Sequence, residues 1–197
     1  QALHRAGIRV IMDMVYNHMM NTVNMDNIVP GYYFRSDYLG RYTNGSGCGN
    51  ELASERPMVR KFIIDSCLHW IKDYKIDGIR FDLMELLDID TTKEIVKKTT
   101  KLDKNFLIYG EPWKGGSSPL VNGTYKGSQK NENFSIFNDT FRDAIRGNNH
   151  PSSGFINGNQ YSSICNWSII EGLKGSIYTI TSNPNESINY VDAHDNY

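Results

Sequence analysis

Apolar residues are gathered into short dense runs separated by long polar tracts. Residues 8–16, IRVIMDMVY, are almost continuously apolar, as a strand buried on both faces of a parallel sheet must be, and the run ends in polar Asn17 and His18. Residues 19–56 then lose all sustained periodicity and carry Gly, Asn, Ser and Tyr, which predicts a long ordered loop excursion. From 55 to 75 the spacing turns helical. Pro57 stands near the start, and Val59, Phe62, Ile63, Leu68 and Ile71 form the expected apolar face. IDGIRFDL (76–83) predicts a strand, and DIDTTKEIVKKTTKLD (88–103) a helix with Asp90 or Thr91 available as its cap. NFLIYGEPW and NFSIFND predict two more strands, DTFRDAIRG a short helix stopped at Gly147, SIIEGLKGSIYTIT another helix, and SINYVDAHDN a fifth strand.

Strands alternating with helices imply crossover connections and a parallel sheet. Four of the five predicted strands end in a carboxylate or an imidazole. A (β/α)8 barrel gathers its site at the C-terminal ends of many strands, whereas a doubly wound sheet concentrates polar groups near one switch point. The expected fold class is therefore α/β, a partial (β/α)8 TIM barrel holding about strands 3 to 7 with their intervening helices. Five strands do not close a barrel, Gln1 is no initiator methionine, and QALHRAG reads as the last turns of a helix ending at Gly7. Residues 1–197 are thus expected to be a fragment of one catalytic (β/α)8 barrel domain, with 19–56 as a long loop excursion after the third barrel strand, which residues 8–16 supply. The missing signal peptide then leaves the compartment open.

Composition narrows the partners. With 39% hydrophobic and 22% charged residues the chain supports one sizeable core. A balance of 21 basic against 22 acidic residues, net charge -1, supplies no field to draw nucleic acid or an anionic bilayer. No apolar run approaches the roughly 20 residues that span a membrane, and no obligate protein partner is implied. Cys48, Cys67 and Cys165 lack CxxC spacing and read as thiols, not as a metal site.

Within IDGIRFDL, strand alternation points Arg80 and Asp82 to one side and Ile79, Phe81 and Leu83 to the other. A guanidinium beside a carboxylate favours its charged form, which a nucleophile needs. Burying such a pair for structure alone is costly, so a functional reading comes first. Glu111, followed by Pro112 and Trp113, is expected beside apolar surface that suits a general acid. VDAHDN supplies Asp192, His194, Asp195 and Asn196, and DMVYNH supplies Asp13, Asn17 and His18. Either tract alone reads first as a core histidine with a helix-capping Asp or Asn. A metal site built from His18, His194 and Asp195 lacks the paired-histidine spacing of a tight ligand shell. Three carboxylates, two imidazoles and the aromatic side chains of Tyr16, Trp113 and Tyr197 suit a sugar: amides and imidazoles bind hydroxyls, rings stack on pyranoses, and a carboxylate pair cleaves the glycosidic bond.

DMVYNH, GIRFDL, GEPW and VDAHDN, in this order, resemble the four short motifs of the α-amylase superfamily, glycoside hydrolase family 13. GRYTNGSGCGNELASERPMVRKFIIDSCLHW, YGEPWKGGSSPL and FNDTFRDAIRG further resemble the type I pullulanase branch of that family, whose members debranch α-1,6 linkages. The resemblance implies a catalytic trio of Asp82 as nucleophile, Glu111 as general acid and base, and Asp195 as the carboxylate that holds the distorted ring. It implies substrate contacts from Arg80, His194, His18, Asn17, Trp113, Tyr16 and Asn196, with Asp13 organising its strand end. The implied partner is an α-glucan: pullulan, limit dextrin, amylopectin or glycogen. No cofactor is required; calcium is possible for the family, but no carboxylate cluster of EF-hand spacing supports it. The alternatives are an α-1,4-acting amylase or glucanotransferase on the same machinery, and a carbohydrate-binding barrel without catalysis. One position departs from the pattern: Glu85 stands where pullulanases usually carry a small residue. The isolated chain is expected to have no glycosidase activity of its own.

Overall fold

The computed structural model describes residues 1–148 and 153–195. They form a mixed α/β structure in two compact units, 1–128 and 129–197.

In the first unit a four-residue helix, α1 (Ala2–Arg5), leads through left-handed Gly7 into strand β1 (Ile11–Met14). The excursion after β1 is ordered. Its strands β2 (His18–Met19) and β3 (Asn50–Glu51) pair antiparallel, His18 opposite Glu51, with the one-turn helix α2 (Val23–Asp26) between them. Phe34, Leu52 and Ala53 are buried from within it, which gives this tract the core that its composition conceals. Helix α3 (Pro57–Tyr74) begins with Pro57 at a position whose N–H needs no partner and ends at left-handed Lys75. Its buried face is Val59, Ile63, Ile64, Cys67 and Ile71, mostly at four-residue spacing. Phe62, expected on that face, is 41% exposed because it lies off this row.

Strand β4 (Gly78–Phe81) is buried throughout and pairs parallel with β1 on one side and with β5 (Leu107–Gly110) on the other. Helix α4 (Ile89–Leu102) joins β4 to β5 and packs on α3. Its cap is Asp88, whose side chain accepts from the Thr91 N–H at 3.0 Å, not Asp90 or Thr91 as the sequence suggested. Both of those residues lie already inside the first turn.

The second unit contains the parallel pair β6 (Ser135–Phe137) and β7 (Ser187–Ile188), with Ile136 opposite Ser187. Helix α5 (Asp139–Arg146) is capped by Asn138 and packs on α6 (Ser163–Leu173), where Gly172 seats the Phe141 ring. The helix predicted over SIIEGLKGSIYTIT therefore starts five residues earlier, where Ser162 caps the Cys165 N–H, and stops before Gly175. The strand predicted through VDAHDN is short, and His194 and Asp195 lie beyond its regular part. Asn196 and Tyr197 fall outside the described residues.

Candidate active site

The parallel register decides which side chains meet. Arg80 in β4 lies opposite Asp13 in β1 and Tyr109 in β5. The ladder continues one step past the strands, since the Asp82 N–H donates to the Met14 carbonyl and the Glu111 N–H to the Phe81 carbonyl, each at 3.1 Å. Asp82 and Glu111 therefore leave neighbouring strand ends.

Arg80 joins the group. Its Nη1 donates to Asp13 Oδ1 at 2.8 Å and to Asp82 Oδ1 at 3.2 Å, and its Nη2 donates to Glu111 Oε1 at 2.5 Å. Burial works against the guanidinium charge, but the fields of Glu111, Asp13 and Asp82 outweigh it and hold Arg80 above the ordinary arginine range. The second oxygen of Glu111 accepts from the Leu83 N–H at 2.8 Å. That amide is aimed by a left-handed backbone at Leu83, φ 36°, a costly conformation for a branched side chain, located directly after Asp82. Asp82 Oδ2 accepts from Asn17 Nδ2 at 2.8 Å, and the same nitrogen donates to the Asp82 carbonyl at 2.7 Å. Asn17 is fully buried, and its Oδ1 pairs with His18 Nδ1. Among the described residues, then, Asp13, Asn17, His18, Arg80, Asp82 and Glu111 form one connected cluster.

Two expectations change here. Tyr16 was expected among the substrate contacts, yet it is buried on the helix-covered side, its hydroxyl hydrogen-bonded to Ser66 of α3 at 2.7 Å and its ring beside Phe81. Counting by twos from Asp13 puts Tyr16 on the face opposite Arg80, so the signal was present in the alternation. Glu111, expected beside apolar surface, has polar partners as well, accepting from Arg80 and from the Leu83 amide. Trp113 is half-buried. Tyr109 belongs to the site and was missed. It is half-buried opposite Arg80, and burial followed by the charge of Asp13 raises its hydroxyl above the usual tyrosine range. Alternation from Glu111 would have found it.

His194 and Asp195 belong to the second unit, where they pair with each other at 3.1 Å with both side chains largely exposed. Among the described residues no group of three or more His, Cys, Asp or Glu is arranged to hold a metal ion.

No protein-family model matches the chain. A pullulanase of Bacillus subtilis strain 168 is 40% identical over 207 residues, which cover 99% of this chain and 28% of that protein. The solved pullulanase from Bacillus acidopullulyticus superimposes with a TM-score of 0.94 at 44% identity, covering 98% of this chain and 24% of its own. The chain is a relative of the pullulanases. A further pullulanase, from Anoxybacillus sp. LM18-11 and complexed with maltotriose, matches with a TM-score of 0.90 at 40% identity over 98% of this chain and 28% of its own. The chain thus spans about a quarter of the length of these pullulanases.

Against that pullulanase background Glu85 acquires a partner. It lies in the 3-10 turn after Asp82 and pairs with Lys114 at 2.8 Å, so the third residue after Asp82 meets the third residue after Glu111. The pair is partly exposed.

Proposed function

We propose that this chain carries the nucleophile and the acid/base of a retaining α-glucan hydrolase that cleaves α-1,6 branch linkages, set in a partial (β/α)8 barrel. The observation that carries the reading is the shared guanidinium: Asp82 and Glu111 sit on the two terminal nitrogens of Arg80, with the Leu83 amide on the far side of Glu111. A retaining mechanism needs two carboxyls about 5 to 5.5 Å apart, one attacking and one exchanging a proton, and a single side chain that holds both keeps them close. The solved relatives complexed with maltotriose and maltotetraose support an α-glucan as the bound polymer.

In the first step Glu111 gives its proton to the glycosidic oxygen while an Asp82 oxygen bonds to the anomeric carbon and the leaving chain departs. In the second, Glu111 takes a proton from water, the water oxygen bonds to the anomeric carbon, and the Asp82 carboxylate is released. Arg80 and Asn17 aim Asp82; His18, Trp113, His194 and Asn196 contact sugar; Asp195 is the third carboxylate. Asp13 and Tyr109 support Arg80. Pullulan, limit dextrin, amylopectin and glycogen are the substrates this reading names.

The test is a hybrid in which this chain replaces the matching segment of the Bacillus subtilis pullulanase. It should release maltotriose from pullulan, and Asp82→Asn or Glu111→Gln should each lower the rate by at least about a thousandfold. A folded hybrid whose activity survives Asp82→Asn overturns the assignment.

A further inference from the structure

We propose that a second, fully buried ion pair, Arg35 with Glu51, is the positioning element of the candidate site. It would hold in one arrangement the three segments that deliver the site's side chains. Arg35 and Glu51 lie in the excursion after β1, at 4% and 0% side-chain exposure, and meet at 2.5 Å. Buried pairs of this kind contribute little net stability. Their contacts therefore matter more than their presence.

The Glu51 carboxylate accepts three hydrogen bonds, two from its own excursion and one from the segment after Glu111. Its Oε1 accepts from the Gly45 N–H at 2.6 Å, and its Oε2 accepts from Arg35 and from Ser118 Oγ, also at 2.6 Å. Ser118 lies seven positions after Glu111. The same stretch is docked a second time, because the Gly116 N–H donates to the Gly45 carbonyl at 2.7 Å. Gly45 and Gly115 are needed for this close approach. A Cβ on Gly45 would lie 2.6 Å from Glu51 Oε1, and one on Gly115 would lie 2.3 Å from the Ser46 carbonyl oxygen. The second arm runs through the β2/β3 ladder. Glu51 is opposite His18, and the Leu52 N–H donates to the carbonyl of Asn17, the residue that donates to Asp82. The third arm is Arg35, which chelates Glu55 and approaches the Leu86 carbonyl, in the turn after Asp82, at 3.4 Å. Among the described residues, Arg35 and Glu51 make no hydrogen bond to Asp82 or Glu111. They act through Asn17, the turn after Asp82, and the segment after Glu111.

This inference rests on the reading of Asp82 and Glu111 as the reacting pair, but its first test does not. In the 197-residue chain, Glu51→Gln should speed hydrogen exchange of the Leu83 amide, the one aimed at Glu111, by about tenfold or more, together with Gly45 and Leu52, while Ile95 in α4 stays protected. Loosening of Gly45 and Leu52 with Leu83 unchanged overturns the proposal. Should Glu51→Gln speed all amides alike, Ser118→Ala decides: faster Leu83 exchange at an unchanged melting temperature supports the coupling, and unchanged exchange defeats it. In the hybrid enzyme, Glu51→Gln should lower kcat by about tenfold or more and leave KM within about twofold. An unchanged kcat in the folded variant would remove the positioning role. Retained activity in Asp82→Asn would instead overturn the catalytic assignment and leave the exchange result standing.

Discussion

Arg80 and Glu111, 31 positions apart, meet at 2.5 Å, and the other end of the same guanidinium reaches Asp13 and Asp82. One cation thus faces three carboxylates. Its partners differ in exposure, with Glu111 buried, Asp82 partly so and Asp13 open to solvent. Among the three, Glu111 acts most strongly to keep Arg80 charged.

Removing that cation should unfold the chain more easily. Arg80→Met leaves Glu111 buried without its counter-charge, and losing one partner of a buried pair costs about 3 kcal/mol or more. Arg80→Lys keeps the charge but not the fork that spans Asp82 and Glu111, so its cost should be smaller. Urea unfolding of the two variants checks the order; equal losses would show that a charge without the fork contributes nothing.

The two adjacent glycines of the Glu111 segment should respond differently to one methyl group. A Cβ at position 115 would stand 2.3 Å from the Ser46 carbonyl oxygen, whereas at position 116 the nearest atom is an ordinary 3.6 Å away. Gly115→Ala should cost about 1 to 3 kcal/mol by overpacking, and Gly116→Ala well under 1 kcal/mol. Thermal melts of both variants side by side give the answer.

Alkaline stability should depend on Cys67. Burial pushes its thiol up to about 12, and the contact with Tyr16 only partly offsets this. A thiol that ionises more readily unfolded than folded contributes stability that is complete below its unfolded value, about 8.5, and lost as pH rises towards the folded one. Between these limits the slope from this group should approach about 1.4 kcal/mol per pH unit. Cys67→Ala should flatten that part of the unfolding curve. A curve of unchanged steepness above pH 9 would assign the alkaline loss to other groups, Tyr16 first, whose hydroxyl burial also raises.

Local pattern was enough for much of this. The apolar run before Asn17, the helix opened by Pro57 and the common side of Arg80 and Asp82 all follow from backbone periodicity, a property of adjacent residues. The motifs that carry the pullulanase resemblance are equally short and continuous. Helix limits were less legible, because caps such as Asp88 and Ser162 are chosen by which free amide they reach.

The remainder was decided by tertiary structure. That Arg80 reaches Glu111 depends on the β4–β5 register, and that Asn17 holds Asp82 depends on the β1–β4 register. Neither register is written in any single segment, since a strand's partners are selected by packing at long range. Arg35 and Glu51 are the extreme case. In sequence they look like solvated charges in a polar loop, and only the enclosure of that loop by the turn after Asp82 and the segment after Glu111 turns them into a buried pair. Burial is a property of the assembled surfaces, so charge in the sequence does not reveal it.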